Sequence, residues 1–264
     1  MLKLLKERIA QGHQTSSYPK VLPILPERFR GRPILPPDAC VASCDDCVQC
    51  CPTEAITAQP LTLDLGACTF CGLCAEHCEA HAITFTSDFR LSAGSKQDLL
   101  LTGGQELKLA SALRKEMLRL FGRSLKLRQV SAGGCNGCES DLNVLSTVGF
   151  DLGRFGIQFV ASPRHADGIV VTGPVTKNME FALRETYAAI PTPKIVIAVG
   201  ACAISGGAFA GSDDACGGVP ADIPVDLYIP GCPPHPYTTL DGLLRLLGRL
   251  PAERASQRSD HAQE

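Results

Sequence analysis

The hydrophobic and polar positions of this chain follow two rhythms. In the second half, apolar runs at about Leu125 to Val130, Ile157 to Ala161, Gly168 to Thr172, Lys194 to Val199 and Val225 to Ile229 alternate with helical stretches such as Asn178 to Ile190 and Thr239 to Leu250. Strands alternating with helices predict a parallel sheet covered on both faces, since each crossover helix lays its apolar stripe on the sheet. The first half lacks that alternation. Its opening MLKLLKERIAQG puts Leu2, Leu5 and Ile9 on one helical face with Lys3, Lys6 and Arg8 around it, a short amphipathic helix suited to docking on a partner or a membrane surface. Residues 13–38 are rich in proline and read as an extended wrapping segment without a core of its own. After a loop-rich linker marked by SAGSKQ and TGGQ, Leu109, Leu113, Met117 and Leu120 recur at helical spacing and predict a helix over Glu106 to Phe121. The final polar RASQRSDHAQE predicts a disordered tail.

Composition narrows the classes. At 264 residues and 45% apolar content the chain has room for two domains and at least one substantial core. A formal charge of -2 provides no basic footprint for nucleic acid. The longest apolar runs are far short of a bilayer span.

Cysteine changes the picture most: twelve of the 14 fall into three sets of four. Cys44, Cys47 and Cys51 are followed 27 residues later by Cys71, Cys74 and Cys78, and the trailing CPTEAIT and CEAHAIT repeat one another, an internal duplication. Two-cluster ferredoxins use C-x2-C-x2-C-x3-C-P twice, three thiolates of each run holding one 4Fe-4S cluster and the fourth crossing to the other. Cys68, Cys71, Cys74 and Cys78 fit that spacing, with Glu79 in place of proline. The upstream run is irregular, because Cys40 lies four residues before Cys44 and Cys50 adds a thiol beside Cys51. Either Cys40 or Cys50 therefore completes it. Aligning the repeats reduces the irregularity to one inserted residue between Cys40 and Cys44. If the third and fourth cysteines open a helix, their i, i+4 spacing also favours Cys47 with Cys51 on one face. The expected ligands are Cys40, Cys44, Cys47 and Cys78 for one cluster and Cys68, Cys71, Cys74 and Cys51 for the other, with Cys50 a non-ligand. A disulfide scaffold is disfavoured because no stretch near the N-terminus has an apolar core and small-residue cleavage site, so the expected location is a reducing cytosol, where structural disulfides are rare. Zinc knuckles pair CxxC units at longer spacing than these triple runs.

The third set sits just past the predicted strands: Cys135 and Cys138 in GGCNGCE, Cys202 in VGAC and Cys232 in PGCPP. Ligands of open α/β sheets bind at the carboxyl ends of the strands, so these four thiolates can converge there. Glycines at 133, 134, 137, 200 and 231 allow the backbone to approach a cluster closely. Cys216 belongs to no set.

Residues 131–248, with GGCNGCE, SPRHAD, GACAISGG and PVDLYIPGCPP, closely resemble the small subunit of formate hydrogenlyase-type, energy-converting NiFe hydrogenases, a relative of the B-type subunit of respiratory complex I. The N-terminal part, with TSSYP, FRGRP and the double cysteine repeat, resembles the ferredoxin subunit of the same complexes, a relative of the I-type subunit of complex I. The resemblance implies a fusion of two electron-transfer subunits carrying three 4Fe-4S clusters. Its parts would be a docking segment (1–38), a bacterial two-cluster 4Fe-4S ferredoxin domain (39–90), a linker and helix (91–124), a flavodoxin-like α/β parallel sheet domain (125–250) and the tail (251–264). It assigns Cys135, Cys138, Cys202 and Cys232 to the cluster nearest a catalytic large subunit, and the CxxC at 135–138 follows the hydrogenase form. Glu139 matches an acidic position of the family near the subunit interface and is read either as a proton relay or as a capping carboxylate; Asp141 takes the next acidic position. Arg164 and His165 are candidates for tuning the cluster through charge or hydrogen bonding, with a structural role as the favoured alternative for His165. The implied partners are a hydrogenase large subunit of NiFe or complex I D-like type, membrane-arm subunits, and a soluble donor or acceptor such as ferredoxin or formate dehydrogenase. The implied location is the inner face of the cell membrane, by peripheral attachment through those subunits. The alternatives are a complex I-like oxidoreductase subunit passing electrons to quinone or another acceptor without nickel, and a non-enzymatic electron adaptor.

Overall fold

A computed structural model of the protein describes residues 2–37, 39–41 and 44–250. The tail expected at 251–264 lies outside the described residues. The amphipathic start forms α1 (Leu2–Gln11), which buries none of its residues and leaves Leu2, Leu5 and Ile9 largely exposed. The proline-rich segment then runs as a strap along the rest of the molecule. Tyr18 is buried, with its hydroxyl donating to Asp241 at 2.7 Å, and Ser16 N–H donates to the Gly149 carbonyl at 2.8 Å. The strap ends in β1 (Pro33–Ile34).

The cysteine repeats fold as α2 (Asp46–Gln49), the hairpin β2 (Ile56–Ala58) and β3 (Leu61–Asp64), then α3 (Leu73–Glu76) and β4 (Thr84–Phe85). β4 pairs antiparallel with β1, clasping the strap to this unit. Within the expected linker, β5 (Leu100–Thr102) adds a third antiparallel strand beside β3. The helix expected over Glu106 to Phe121 is confined to α4 (Lys115–Phe121). Its first half is drawn out instead, because Ala110 N–H donates to the Ser92 carbonyl and Leu113 N–H to the Leu246 carbonyl, and Arg114 stays extended at ψ 151°. Tertiary hydrogen bonds at these amides take the place of helical ones, and Leu120 is left exposed.

The second half follows its predicted alternation: β6 (Leu125–Ser131), α5 (Gly137–Val144), β7 (Ile157–Phe159), β8 (Gly168–Thr172), α6 (Lys177–Ala189), β9 (Ile195–Val199), α7 (Ala201–Ser205), β10 (Leu227–Ile229) and α8 (Pro236–Leu246). The five strands are all parallel, in the order β10-β9-β8-β6-β7. Renumbered within the sheet this is 2-1-3-4-5, the flavodoxin-like order, which switches direction between β6 and β8. Every residue of β8 and β9 is buried, as central strands covered on both faces require.

The two halves share a core. Leu35, Ile56, Leu63, Leu65, Leu99 and Leu101 pack in one apolar cluster with Val130, Ile169, Val171, Ala203 and Ile204. The approach is close at Gly66, where a Cβ would meet Ile204 Cγ2 at 2.8 Å and where Ser205 Oγ donates to the glycine carbonyl at 3.0 Å.

Candidate functional site

The fourteen thiols are all unbridged, and twelve of them gather in three places. In the first, Cys40, Cys44, Cys47 and Cys78 line a cavity of about 190 Å³ with Leu61, Ala82, Ile83 and the acidic Asp46 and Glu79. Ala82 N–H donates to Cys78 Sγ at 3.3 Å, and Cys44 Sγ donates to Asp46 Oδ2 at 3.4 Å. Burial, then the nearby Cys40, Cys78 and Cys44, pushes the Cys47 thiol up to about 11.

In the second place, Cys51, Cys68, Cys71 and Cys74 line a cavity with Ile56, Leu63 and Phe85. Ala55 N–H donates to Cys51 Sγ at 3.2 Å and Phe70 N–H to Cys68 Sγ at 3.3 Å. Ala55 follows Cys51 by four residues as Ala82 follows Cys78, so the duplication is also a repeat of N–H to sulfur bonds. Burial pushes both Cys68 and Cys74 up to about 12. The i, i+4 stacking of Cys47 and Cys51 is not found. α2 ends at Gln49 with Cys50 as its C-cap, so Cys51 lies beyond the helix and lines the other cavity. Cys50 Sγ donates to the Cys47 carbonyl at 3.5 Å, and the thiol lines neither cavity.

The third place lies at the carboxyl ends of the strands. Cys135 and Cys138 bracket the turn into α5, formed by Asn136 at φ 71°, while Cys202 opens α7 after β9 and Cys232 follows β10. The four thiols are mutually close. Burial first, then the charge of Glu139 and the thiols Cys202, Cys232 and Cys135, pushes Cys138 up to about 12. Burial, then Cys232 and Cys135, raises Cys202 as well. Gly200 sits at φ +89°, and a Cβ there would stand 2.5 Å from Cys138 Sγ; one on Gly207 would stand 3.1 Å from Cys202 Sγ. Backbone occupies the space on one side of these sulfurs that a side chain would otherwise take.

Glu139 is buried and accepts hydrogen bonds from Ser131 Oγ at 2.6 Å and Thr172 Oγ1 at 2.7 Å. Burial works to raise its pKa, yet the two hydroxyls prevail and hold the carboxyl below its ordinary value. They come from the ends of β6 and β8, so Glu139 ties α5 to the sheet at its switch point, the arrangement of a bracing carboxylate. Burial alone raises Asp141. Arg164 and His165 occupy an exposed turn after the edge strand β7, which pairs with β6, the strand that leads to Cys135 and Cys138.

Residues without an expected role surround the gap between the second and third places. A cavity of about 200 Å³ is lined by Arg28, Phe29 and Arg30 of the strap, by Thr69 and Phe70, and by the Gly231–His235 turn with Cys232. His235 stacks on Tyr237 and meets Phe29 edge-on at 5.3 Å, and burial lowers its pKa. The motif FRGRP and the HP after PGCP were the only signals, and neither pattern names a contact.

The donor chemistry fits iron–sulfur clusters. Each place provides four thiols, and buried thiols raised to 11 or 12 release their protons only where cationic metal compensates the thiolates. Among the described residues no three His, Cys, Asp or Glu side chains converge on a single-ion position. Mononuclear thiolate sites crowd their sulfurs to within about 4 Å of one another. Fold and site therefore define an iron–sulfur protein with a ferredoxin unit set on a flavodoxin-like sheet.

Comparison with known proteins specifies the family. Residues 135–246 match the NADH ubiquinone oxidoreductase, 20 Kd subunit family, and residues 61–84 match the 4Fe-4S binding domain. The chain is 43% identical over 140 residues to formate hydrogenlyase subunit 7 of Escherichia coli (strain K12), covering 53% of this chain and 55% of that subunit, so the likeness spans only about half of that relative's length. It is 39% identical over 150 residues to the probable membrane-bound hydrogenase subunit mbhJ of Pyrococcus furiosus, covering 57% of this chain and 90% of the relative. It is 45% identical over 119 residues to the B-type subunit of the NADH-quinone oxidoreductase of Citrifermentans bemidjiense, covering 45% of this chain and 69% of the relative. The chain belongs to the NADH ubiquinone oxidoreductase 20 Kd subunit family, with a 4Fe-4S ferredoxin region ahead of it.

Proposed function

We propose that this chain is the electron relay of a membrane-associated, energy-converting NiFe hydrogenase, a fusion of a ferredoxin subunit with a small subunit. The observation that carries the reading is the gathering of twelve thiols into three groups of four, two in the ferredoxin unit and one at the carboxyl ends of the sheet. Cys40, Cys44, Cys47 and Cys78 would hold one 4Fe-4S cluster, Cys51, Cys68, Cys71 and Cys74 the second, and Cys135, Cys138, Cys202 and Cys232 the third. Bound there, the clusters supply one-electron transfer along the chain. The protein's own part is local. Ala55, Phe70 and Ala82 N–H groups support thiolate charge, Gly200 and Gly207 keep backbone tight against sulfur, and Glu139 locks the turn that carries Cys135 and Cys138. Cys135 and Cys232 are exposed, so the third group faces outward, where a large subunit would cover it. No described helix is long and apolar enough to cross a membrane, and attachment would come through membrane-arm partners.

The CxxC at 135–138 favours the hydrogenase form. The identity to the NADH-quinone oxidoreductase of Citrifermentans bemidjiense favours a second reading, in which the large subunit is nickel-free and passes electrons to quinone. The full chain reconstituted with iron and sulfide is expected to bind about twelve irons, hold no nickel, oxidise a low-potential dye and evolve no hydrogen by gas chromatography. Adding a nickel-loaded large subunit is expected to create hydrogen activity that Cys202→Ser removes. Hydrogen evolution by the chain alone would overturn the division of roles. Absence of nickel from the native complex would move the assignment to the quinone form.

A further inference from the structure

The strap carries an arginine to a specific place. Gly31 N–H donates to the Thr86 carbonyl and Arg32 N–H to the Asp88 carbonyl, both at 2.7 Å, while Thr86 N–H returns to the Arg32 carbonyl at 3.0 Å. On the other side Phe29 is seated against His235. With both neighbours pinned, Arg30 lies across Gly72, the residue that follows Cys71. A Cβ on Gly72 would come within 2.7 Å of Arg30 Cζ, so the glycine leaves room for the guanidinium to lie against the backbone there. Arg30 Nη2 also pairs with Glu76 Oε1 of α3 at 3.2 Å, and both side chains are about half exposed. The first group of thiols has the opposite surroundings: Asp46 and Glu79 line its cavity, and the described lining residues include no cation.

We infer that Arg30 is a positioning residue for reduction potential, raising the potential of the iron–sulfur group held by Cys51, Cys68, Cys71 and Cys74 above that of the group held by Cys40, Cys44, Cys47 and Cys78, with Glu76 opposing it. The inference rests on the proposed relay. Reduction adds one negative charge to a site already surrounded by thiolates, so a fixed cation beside the backbone favours the reduced state and a fixed carboxylate disfavours it. Exposure screens both charges, which makes the signs of the shifts more telling than their sizes. The gradient would draw electrons from the acidic first site toward the second, which neighbours the cavity shared with Cys232.

The test is a redox titration of the iron-loaded full chain, followed by EPR, with iron content measured on every sample. Arg30→Gln is expected to move one of three reduction steps to more negative potential and leave the other two in place. Arg30→Lys is expected to restore most of that shift, and Glu76→Gln to move the same step the opposite way. A purely structural role for the pair would make both neutralising variants act alike, through lost iron or broadened signals. Unmoved steps in fully loaded Arg30→Gln, or shifts of the same sign in Arg30→Gln and Glu76→Gln, would overturn the inference. A wild-type chain that takes up no iron would instead overturn the relay itself.

Discussion

Gly200 offers the sharpest perturbation of the third group of thiols. Its backbone, at φ 89° and ψ 154°, lies in a region open in practice to glycine alone, and Gly200→Ala there costs on the order of 1–3 kcal/mol in strain. The new methyl would also stand 2.5 Å from Cys138 Sγ, about 1 Å inside an ordinary contact of roughly 3.5–4 Å. Cys138 cannot give way freely, because Glu139 beside it is tied to Ser131 and Thr172. Gly211 is the matched control: it too has positive φ, at +77°, but nothing lies within 4 Å of its Cβ position. Gly211→Ala should therefore cost about 1–2 kcal/mol in conformation alone and leave metal binding intact. Gly200→Ala should displace the sulfur and reduce iron from about twelve to about eight per chain, with loss of one EPR signal and retention of two. Iron assay and EPR on the two variants, with urea unfolding to measure stability, make the comparison. Full iron and three unaltered signals in Gly200→Ala would refute the reasoning that backbone at Gly200 shapes a ligand site.

The cavity linings favour Cys40 over Cys50 in the proposed ligand register: Cys40→Ser should lose one cluster's iron, whereas Cys50→Ser should leave iron content and EPR unchanged, and the reverse result would reassign the first group. Asp88 gives an acid-stability prediction. Its carboxyl is buried, which acts to raise its pKa, but bonds from Arg90 at 2.7 and 2.8 Å and the charge of Arg32 hold it below its ordinary value. Since the folded value lies below the unfolded one of about 3.9, the stabilisation is complete above that pH and disappears as pH falls through the folded value. Asp88→Asn should therefore be less stable at neutral pH and show a shallower loss of stability below about pH 4; an unchanged acid limb in pH-dependent urea unfolding would count against the Arg90 contact.

Much of the fold was legible because its signals are local. The β/α alternation from residue 125 onward appears as five parallel strands in the expected places, since strand and helix periodicities depend on neighbours a few residues apart. The helix stripe at 106–121 misled for the complementary reason. Leu109 and Leu113 do pack inward, but the backbone there bonds to Ser92 and Leu246, and propensity yields to such contacts when they cover apolar surface.

By itself the sequence carried the signals of the chemistry: four-thiol groups at short, repeated spacing, and strands ending in glycine and cysteine. Those properties reside in spacings of two to a few tens of residues, which survive without any knowledge of packing. Only the tertiary structure decided which thiols face the same cavity, that Glu139 is held by hydroxyls from two strands, and that the strap brings Arg30 onto Gly72. Each of these joins segments whose separation in sequence carries no pattern. Their meeting is imposed by a core that both halves share and by the order in which parallel strands associate.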